Sequence, residues 1–384
     1  MRRWATQQGK ALPIFRAYRR EVGSMQELAF LLLSPLFVFG LPQAERTISD
    51  AVSCPSCTVV IGERHLLLKG DEPLSGFIGK ASGSFLVSSS KGVPQRFDTT
   101  GLYLGPLGRP GAGPGEFRMA AGYAAGPGGA FSVYDAANGR LELFGPEGQR
   151  AGSVRLTHAT IGGGVLWLGG DDAFIVSGQR PDAEHFGYTL HVYSQAGTYR
   201  RSFAPTAQPI LPGGSKLAGL RLVSQAPDGG LLVVSVVDRY TVQRWNPASD
   251  SLEQTWVRDA PWFGRVEGPF QPRILSAVVD SAGLLWTLAL VPSPSWEKGV
   301  RARDLAEGIR RERTYEIVDR DLIADTMIEV IDLRQARVVA RRRLDRLYAT
   351  LLPGGLVAAE RAEDGGVEVF PVRLAGLPRV PNRR

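Results

Sequence analysis

Six apolar runs of similar build recur along the chain: Ser84-Phe85-Leu86-Val87, Ala130-Phe131-Ser132-Val133, Ala173-Phe174-Ile175-Val176, Leu231-Leu232-Val233-Val234, Leu284-Leu285-Trp286-Thr287 and Leu356-Val357-Ala358-Ala359. Each follows a turn signal, such as Gly126-Pro127-Gly128-Gly129 or Pro227-Asp228-Gly229-Gly230. The second residues of the runs stand 46, 43, 58, 53 and 72 positions apart. A strand-only period of roughly 40–50 residues is that of a β-propeller blade with four strands. The longer intervals read as insertions. With 46 Gly and 26 Pro spread along 384 residues, the chain has turn formers for many short strands. Hydrophobic residues make up 43%, enough for a packed core.

The plan of one copy is clearest at "AFSVYDAANGRLELFGPEGQRAGSV", residues 130–154. Strands alternate there with two turns, and Asn138-Gly139 suits a tight hairpin because both residues tolerate positive φ. The last copy lacks a strand, while Thr58–Leu68 has no neighbour of its own. Pairing the two closes a ring and removes an exposed edge. The expected fold is therefore all-β: a six-bladed β-propeller over 51–376 with the N-terminal strand closing the last blade. Residues 293–325 interrupt blade five. Their acid-to-base pairs Glu297–Arg301, Glu307–Arg311 and Glu316–Arg320 at i,i+4, with Leu305 and Ile309 on one face, predict a short helical insertion. It reads as a solvated surface helix, or else a lid or docking element.

The stretch "GRPGAGPGEF", residues 108–117, invites a phosphate-loop reading through its G-x-G-x-G. Such a loop opens a helix, whereas "RMAAGYAAGPGG" leads into a strand. The stretch reads instead as a blade connector, its motif Gly113, Pro114, Gly115, Glu116 and Phe117, with Phe117 entering the inter-blade core. Together with "GGAFSVYDAANGRLELFGPEGQ" it resembles six-bladed propellers of the NHL-repeat type, and more closely exported bacterial six-bladed propellers of unknown function. The resemblance is specific over about 105–150 and reaches 58–375 in outline.

The chain ends carry their own message. Residues 1–24 hold +5 and 373–384 hold +4 of the net +7, so 25–372 sum to −2. The basic charge sits at the termini rather than on the fold, which argues against nucleic-acid binding. The uncharged run LAFLLLSPLFVFGLP, 28–42, is short for a spanning helix. Behind Arg19 and Arg20 it suits an export signal or a membrane anchor within a 1–50 segment; a buried core helix is the alternative. Cleavage and the choice of start at Met1 or Met25 stay open. The 377–384 tail is basic. Cys54-Pro-Ser-Cys57 lacks the following His of a c-type haem site, and there are no further cysteines for zinc. In an exported chain it reads as a disulfide of Cys54 with Cys57; redox and lipoprotein readings are weaker.

No reaction follows from the sequence. G-x-S-x-G and GxxxxGK[ST] are absent. His65, His158, His185 and His191 do not follow the blade period, and only three Asn exist, in turns and the tail, for axial Ca²⁺ ligation. The leading reading is an exported or membrane-tethered binding module for a protein, peptide or saccharide. The expected state is monomeric, without a cofactor or catalytic residues, and with membrane contact only through the N-terminal apolar segment. The alternatives are a metal-dependent hydrolase or lyase with an axial Ca or Zn site, and a structural component of a cell-envelope assembly. The binding candidates are the residues at blade entrances, Asp135, Arg140, Asp238, Arg239 and Tyr240, with Trp262 and Trp296 as rim aromatics. Arg140 has a second reading as the brace of its own hairpin.

Overall fold

Each of the six apolar runs becomes the second strand of an antiparallel sheet. In the computed structural model, described for residues 45–376 except 82, 158–160, 169–173, 181–186, 206–219, 238, 265–269, 305–312, 320 and 362–363, these sheets are the blades of a six-bladed propeller. Blade 1 runs Leu74–Ala81, Ser84–Ser89, Pro94–Phe97 and Tyr103–Pro106. Blade 2 runs Ala120–Ala125, Phe131–Asp135, Arg140–Phe144 and Arg150–Arg155. Blade 3 runs Ile161–Trp167, Phe174–Gln179, Tyr188–Tyr193 and Tyr199–Pro205. Blade 4 holds Arg221–Gln225, Leu231–Ser235, Thr241–Asn246 and Ser251–Arg258, and blade 5 holds Arg273–Val279, Leu285–Pro292, Ala324–Asp332 and Arg337–Leu344. Blade 6 has Thr350–Leu352, Leu356–Glu360 and Val367–Ala375. Its outer position is filled from the other end of the chain, as Thr58–Ile61 and Leu66–Leu68 both pair antiparallel with Val367–Ala375.

The first strands line the axis. Each touches the first strand of the next blade, and Thr350–Leu352 touches Leu74–Ala81, so the ring is closed. The second strands are buried on both faces, which is why they read as continuous apolar runs rather than alternating ones. In blade 1, Phe85 and Val87 point toward blade 6 while Leu86 points toward blade 2. In blade 4, Leu231 and Val233 meet blade 3 while Leu232 and Val234 meet blade 5. Six apolar clusters result, one at every blade boundary.

A strap precedes the closing strand. Arg46–Ile48 lies parallel to Ser251–Arg258 and adds a fifth strand to blade 4. Ser49 bridges to Arg337 of blade 5, and the Ser53 N–H donates to the Val338 carbonyl at 2.8 Å. Ile48 is buried in the cluster between blades 4 and 5. Cys54 and Cys57 are joined through their sulfurs just before the chain enters blade 6.

The described residues of the insertion in blade 5 do not form the expected helix. The insertion opens with a 3₁₀ turn, Trp296–Gly299, and continues as the hairpin Val300–Asp304 with Arg313–Ile317. Glu297 lies in the turn and Arg301 on a strand, and Glu316 also lies on a strand, so the i,i+4 spacing carries no helical meaning here. Each such pair is worth only ~0.3–0.5 kcal/mol, too little to nucleate a short helix. The hairpin gains ladder hydrogen bonds and an edge-on contact of Trp296 with Tyr315, centroids 5.4 Å apart. Leu305, Glu307, Ile309, Arg311 and Arg320 lie outside the described residues, as do the apolar run 28–42 and the basic tail 377–384.

Candidate functional site

Antiparallel order fixes which loops share a face. Turns between second and third strands emerge with the connections from fourth strand to next blade, and the remaining turns emerge at the opposite face. The sequence-derived candidates Asp135, Arg140, Arg239, Tyr240, Trp262 and Trp296, and the connector 113–117, therefore share one face. Asp238 lies outside the described residues.

On that face Asp135 and Arg140 are spent on internal structure. Asp135 is fully buried and accepts from the N–H groups of Arg118 (3.3 Å) and Met119 (3.1 Å) and from Asn138 Nδ2 (2.5 Å). Arg140 donates to the carbonyls of Ala112 (2.8 Å), Gly113 (2.6 Å) and Glu116. It thus braces the connector more than its own hairpin. Its Nε lies 2.9 Å from the fully buried Glu142, which also holds Arg150 at 2.9 Å. Glu116 folds back to accept from the Gly113 N–H (2.7 Å) and from Arg109 (2.8 Å), contacts that hold its carboxyl below the usual range. Gly108 passes so close to the Gly115 carbonyl that a Cβ would stand 2.2 Å from it, and Gly115 has φ +73°. Phe117 is fully buried in the cluster between blades 1 and 2.

Tyr240 is buried too. Its hydroxyl lies 2.6 Å from Thr287 Oγ1, and its ring meets those of Trp262 and Phe263. Burial, with Glu329 nearby, pushes its phenol well above the ordinary value. Arg239 is exposed and pairs with Glu45 at 2.9 Å. Trp262 and Trp296 are half-buried. The structure thus brings Tyr240 and Trp262 together and keeps Asp135 and Arg140 apart from them, two blades away. Of the histidines, His191 is buried with Nδ1 2.7 Å from Ser202 Oγ, and His158 and His185 lie outside the described residues. Among the described residues no group of three or more His, Cys, Asp or Glu is arranged to hold a metal, and no helix is long and apolar enough to cross a membrane.

The opposite face carries a cleft of about 440 Å³ at the boundary of blades 4 and 5. That lies within the ~300–1,000 Å³ typical of ligand sites. Its floor is apolar: Leu232, Trp256, Val279 and Leu333. Three guanidinium groups surround it. Arg46 comes from the strap, Arg244 from the third strand of blade 4 and Arg334 from the last turn of blade 5. Arg244 is locked between Asp228 (2.8 Å) and Glu253 (2.7 Å), and its hydrogen bond to Asp228 keeps that carboxyl below the usual range. Arg46 donates to the Arg334 carbonyl at 3.2 Å. The Trp256 indole is 6% exposed, and its N–H finds no acceptor among the described residues.

This cleft was not among the sequence-derived candidates. Its residues come from six separated stretches of chain and leave no local pattern. The one available signal was Pro227-Asp228-Gly229-Gly230, a turn that brings a carboxylate to the face.

No family model matches the chain, and no curated protein matches it. Solved structures do. A protein of Bacteroides fragilis NCTC 9343, named as a candidate for export, superposes with TM-score 0.54 at 11% identity, over 86% of this chain and 98% of its own. A member of the DUF4221 family from Bacteroides vulgatus ATCC 8482 superposes with TM-score 0.50 at 8% identity, over 84% of this chain and 98% of its own. At these identities the likeness is one of fold.

Proposed function

We propose that this propeller is an exported binding module that receives its ligand in the cleft between blades 4 and 5. The cleft itself supports this reading: an apolar floor ringed by a few polar groups is the ordinary build of a recognition site. The loop-rich face supports it less, because Asp135, Arg140 and Tyr240 already have internal partners. Three features support export: the uncharged run 28–42 behind basic residues, the joined Cys54 and Cys57, and the fold likeness to a protein named as a candidate for export.

The test is photo-crosslinking in the native envelope. A photoreactive residue replaces the exposed Ser281 on the cleft rim or, as a control, the exposed Glu147 on a blade 2 turn of the same face. A defined adduct identified by mass spectrometry at 281 and not at 147 is the expected result. Equal labelling at both positions would remove the cleft from the account.

A further inference from the structure

On the reading that the cleft is the binding site, we infer that its occupant is an acidic peptide segment. A peptide carboxylate meets Arg46 and Arg334, and a neighbouring apolar side chain settles against Leu232, Val279 and Leu333. The charges around the cleft are unequally satisfied. Arg244 already has two carboxylates on its guanidinium, so it forms a wall rather than a receptor. Arg46 is exposed, and no carboxylate stands within ion-pair distance of it among the described residues. Arg334 is 75% exposed and touches Asp332 only at 3.6 Å. Two cations thus stand on one rim, joined by the hydrogen bond from Arg46 to the Arg334 carbonyl. A guanidinium fork matches a carboxylate in geometry as well as charge.

The floor selects among anions. Leu232, Trp256 and Leu333 are buried to a similar degree at 4%, 6% and 7% exposure and Val279 is half-buried, so the floor is a shallow, mainly aliphatic patch without an open aromatic face. A sugar ring is held best by an exposed aromatic face, which this floor lacks. An aliphatic side chain beside a carboxylate fits both parts. The volume of about 440 Å³ admits a few residues of an extended segment rather than a folded element.

The experiment titrates the full-length protein with a synthetic acetyl-Glu-Leu-Glu-Leu amide, its Gln-Leu-Gln-Leu counterpart and tri-galacturonate, at low salt and at about 0.5 M salt, where screening is strong. The acidic peptide is expected to bind at low salt and weaken at high salt. Arg46→Gln and Arg334→Gln should each weaken it about fivefold, the upper end for an exposed ion pair. Arg46→Lys should recover only part of the loss, because it keeps the charge but not the guanidinium fork. Both arginines are exposed, so unchanged circular dichroism is expected in every variant. Equal binding of the Gln peptide, tighter binding of tri-galacturonate, insensitivity to both arginine variants, or no binding of the acidic peptide would each overturn the inference. The adduct at position 281 is an independent readout. If it forms while the acidic peptide fails, the cleft reading stands and only the ligand class falls.

Discussion

The Asp50 carboxylate stands 2.8 Å from Nη1 of Arg341, a residue 291 positions later. The same carboxylate accepts from Arg258, whose side chain is fully buried and also pairs with the buried Glu329 at 3.0 Å. One strap residue therefore ties the outer strands of blades 4 and 5 together. The Arg258 hydrogen bond, helped by Arg341, holds Asp50 below the usual carboxylate range. Its contribution is complete above the ordinary aspartate value of ~4 and is lost as pH falls through the lowered one. Glu329 has the opposite sign: burial raises its carboxyl, so its charge costs stability at neutral pH and the cost fades on acidification. Asp50→Asn should cost about 1 kcal/mol near neutral pH, modest because Asp50 is half-exposed. The difference from the parent should shrink at pH values below the lowered Asp50 range. Urea midpoints across pH measure it.

The connector gives a larger effect. Phe117→Ala empties a fully buried site between blades 1 and 2 and should cost about 3–5 kcal/mol. Arg140→Ala leaves the buried Glu142 with Arg150 as its remaining cation among the described residues and removes the donors to three connector carbonyls. A loss of about 3 kcal/mol is expected. Denaturant unfolding checks both. If ligand binding alone changed and stability did not, the structural role of the connector would be wrong.

What the sequence disclosed follows from how locally each feature is encoded. The second strands were legible because burial on both faces makes a run such as Leu231–Val234 apolar at every position. The closing strand was legible because the last copy lacked a partner. The strap at Arg46–Ile48 was not, since three residues on an outer edge carry no pattern. The pair Glu297 and Arg301 misled because an i,i+4 charge spacing also occurs by chance where a 3₁₀ turn runs into a strand. Asp135 and Arg140 were visible as polar groups at a blade entrance, but only three dimensions reveal that the connector has claimed them. The cleft needs Arg46, Asp228, Arg244 and Arg334 from four segments, a juxtaposition that no local window contains.

The short disulfide makes a separable prediction. Replacing both Cys54 and Cys57 by Ser frees a loop of four residues in the unfolded chain. The chain-entropy relation gives a loss of about 2 kcal/mol for a loop this small. The effect should appear as a lower Tm for the double variant and for the parent under reductant, and reductant should leave the variant unchanged.

The most direct test of the central claim fills the cleft. Ala282 is exposed on its rim, and its N–H is held by Asp280 Oδ1 at 2.9 Å, so the turn does not depend on its side chain. Ala282→Trp should leave Tm within about 2 °C, as expected for a surface change in a chain of this size. With the photoreactive residue at 281, adduct yield in the native envelope should fall at least tenfold in this variant. Undiminished labelling with the cleft filled would contradict the account.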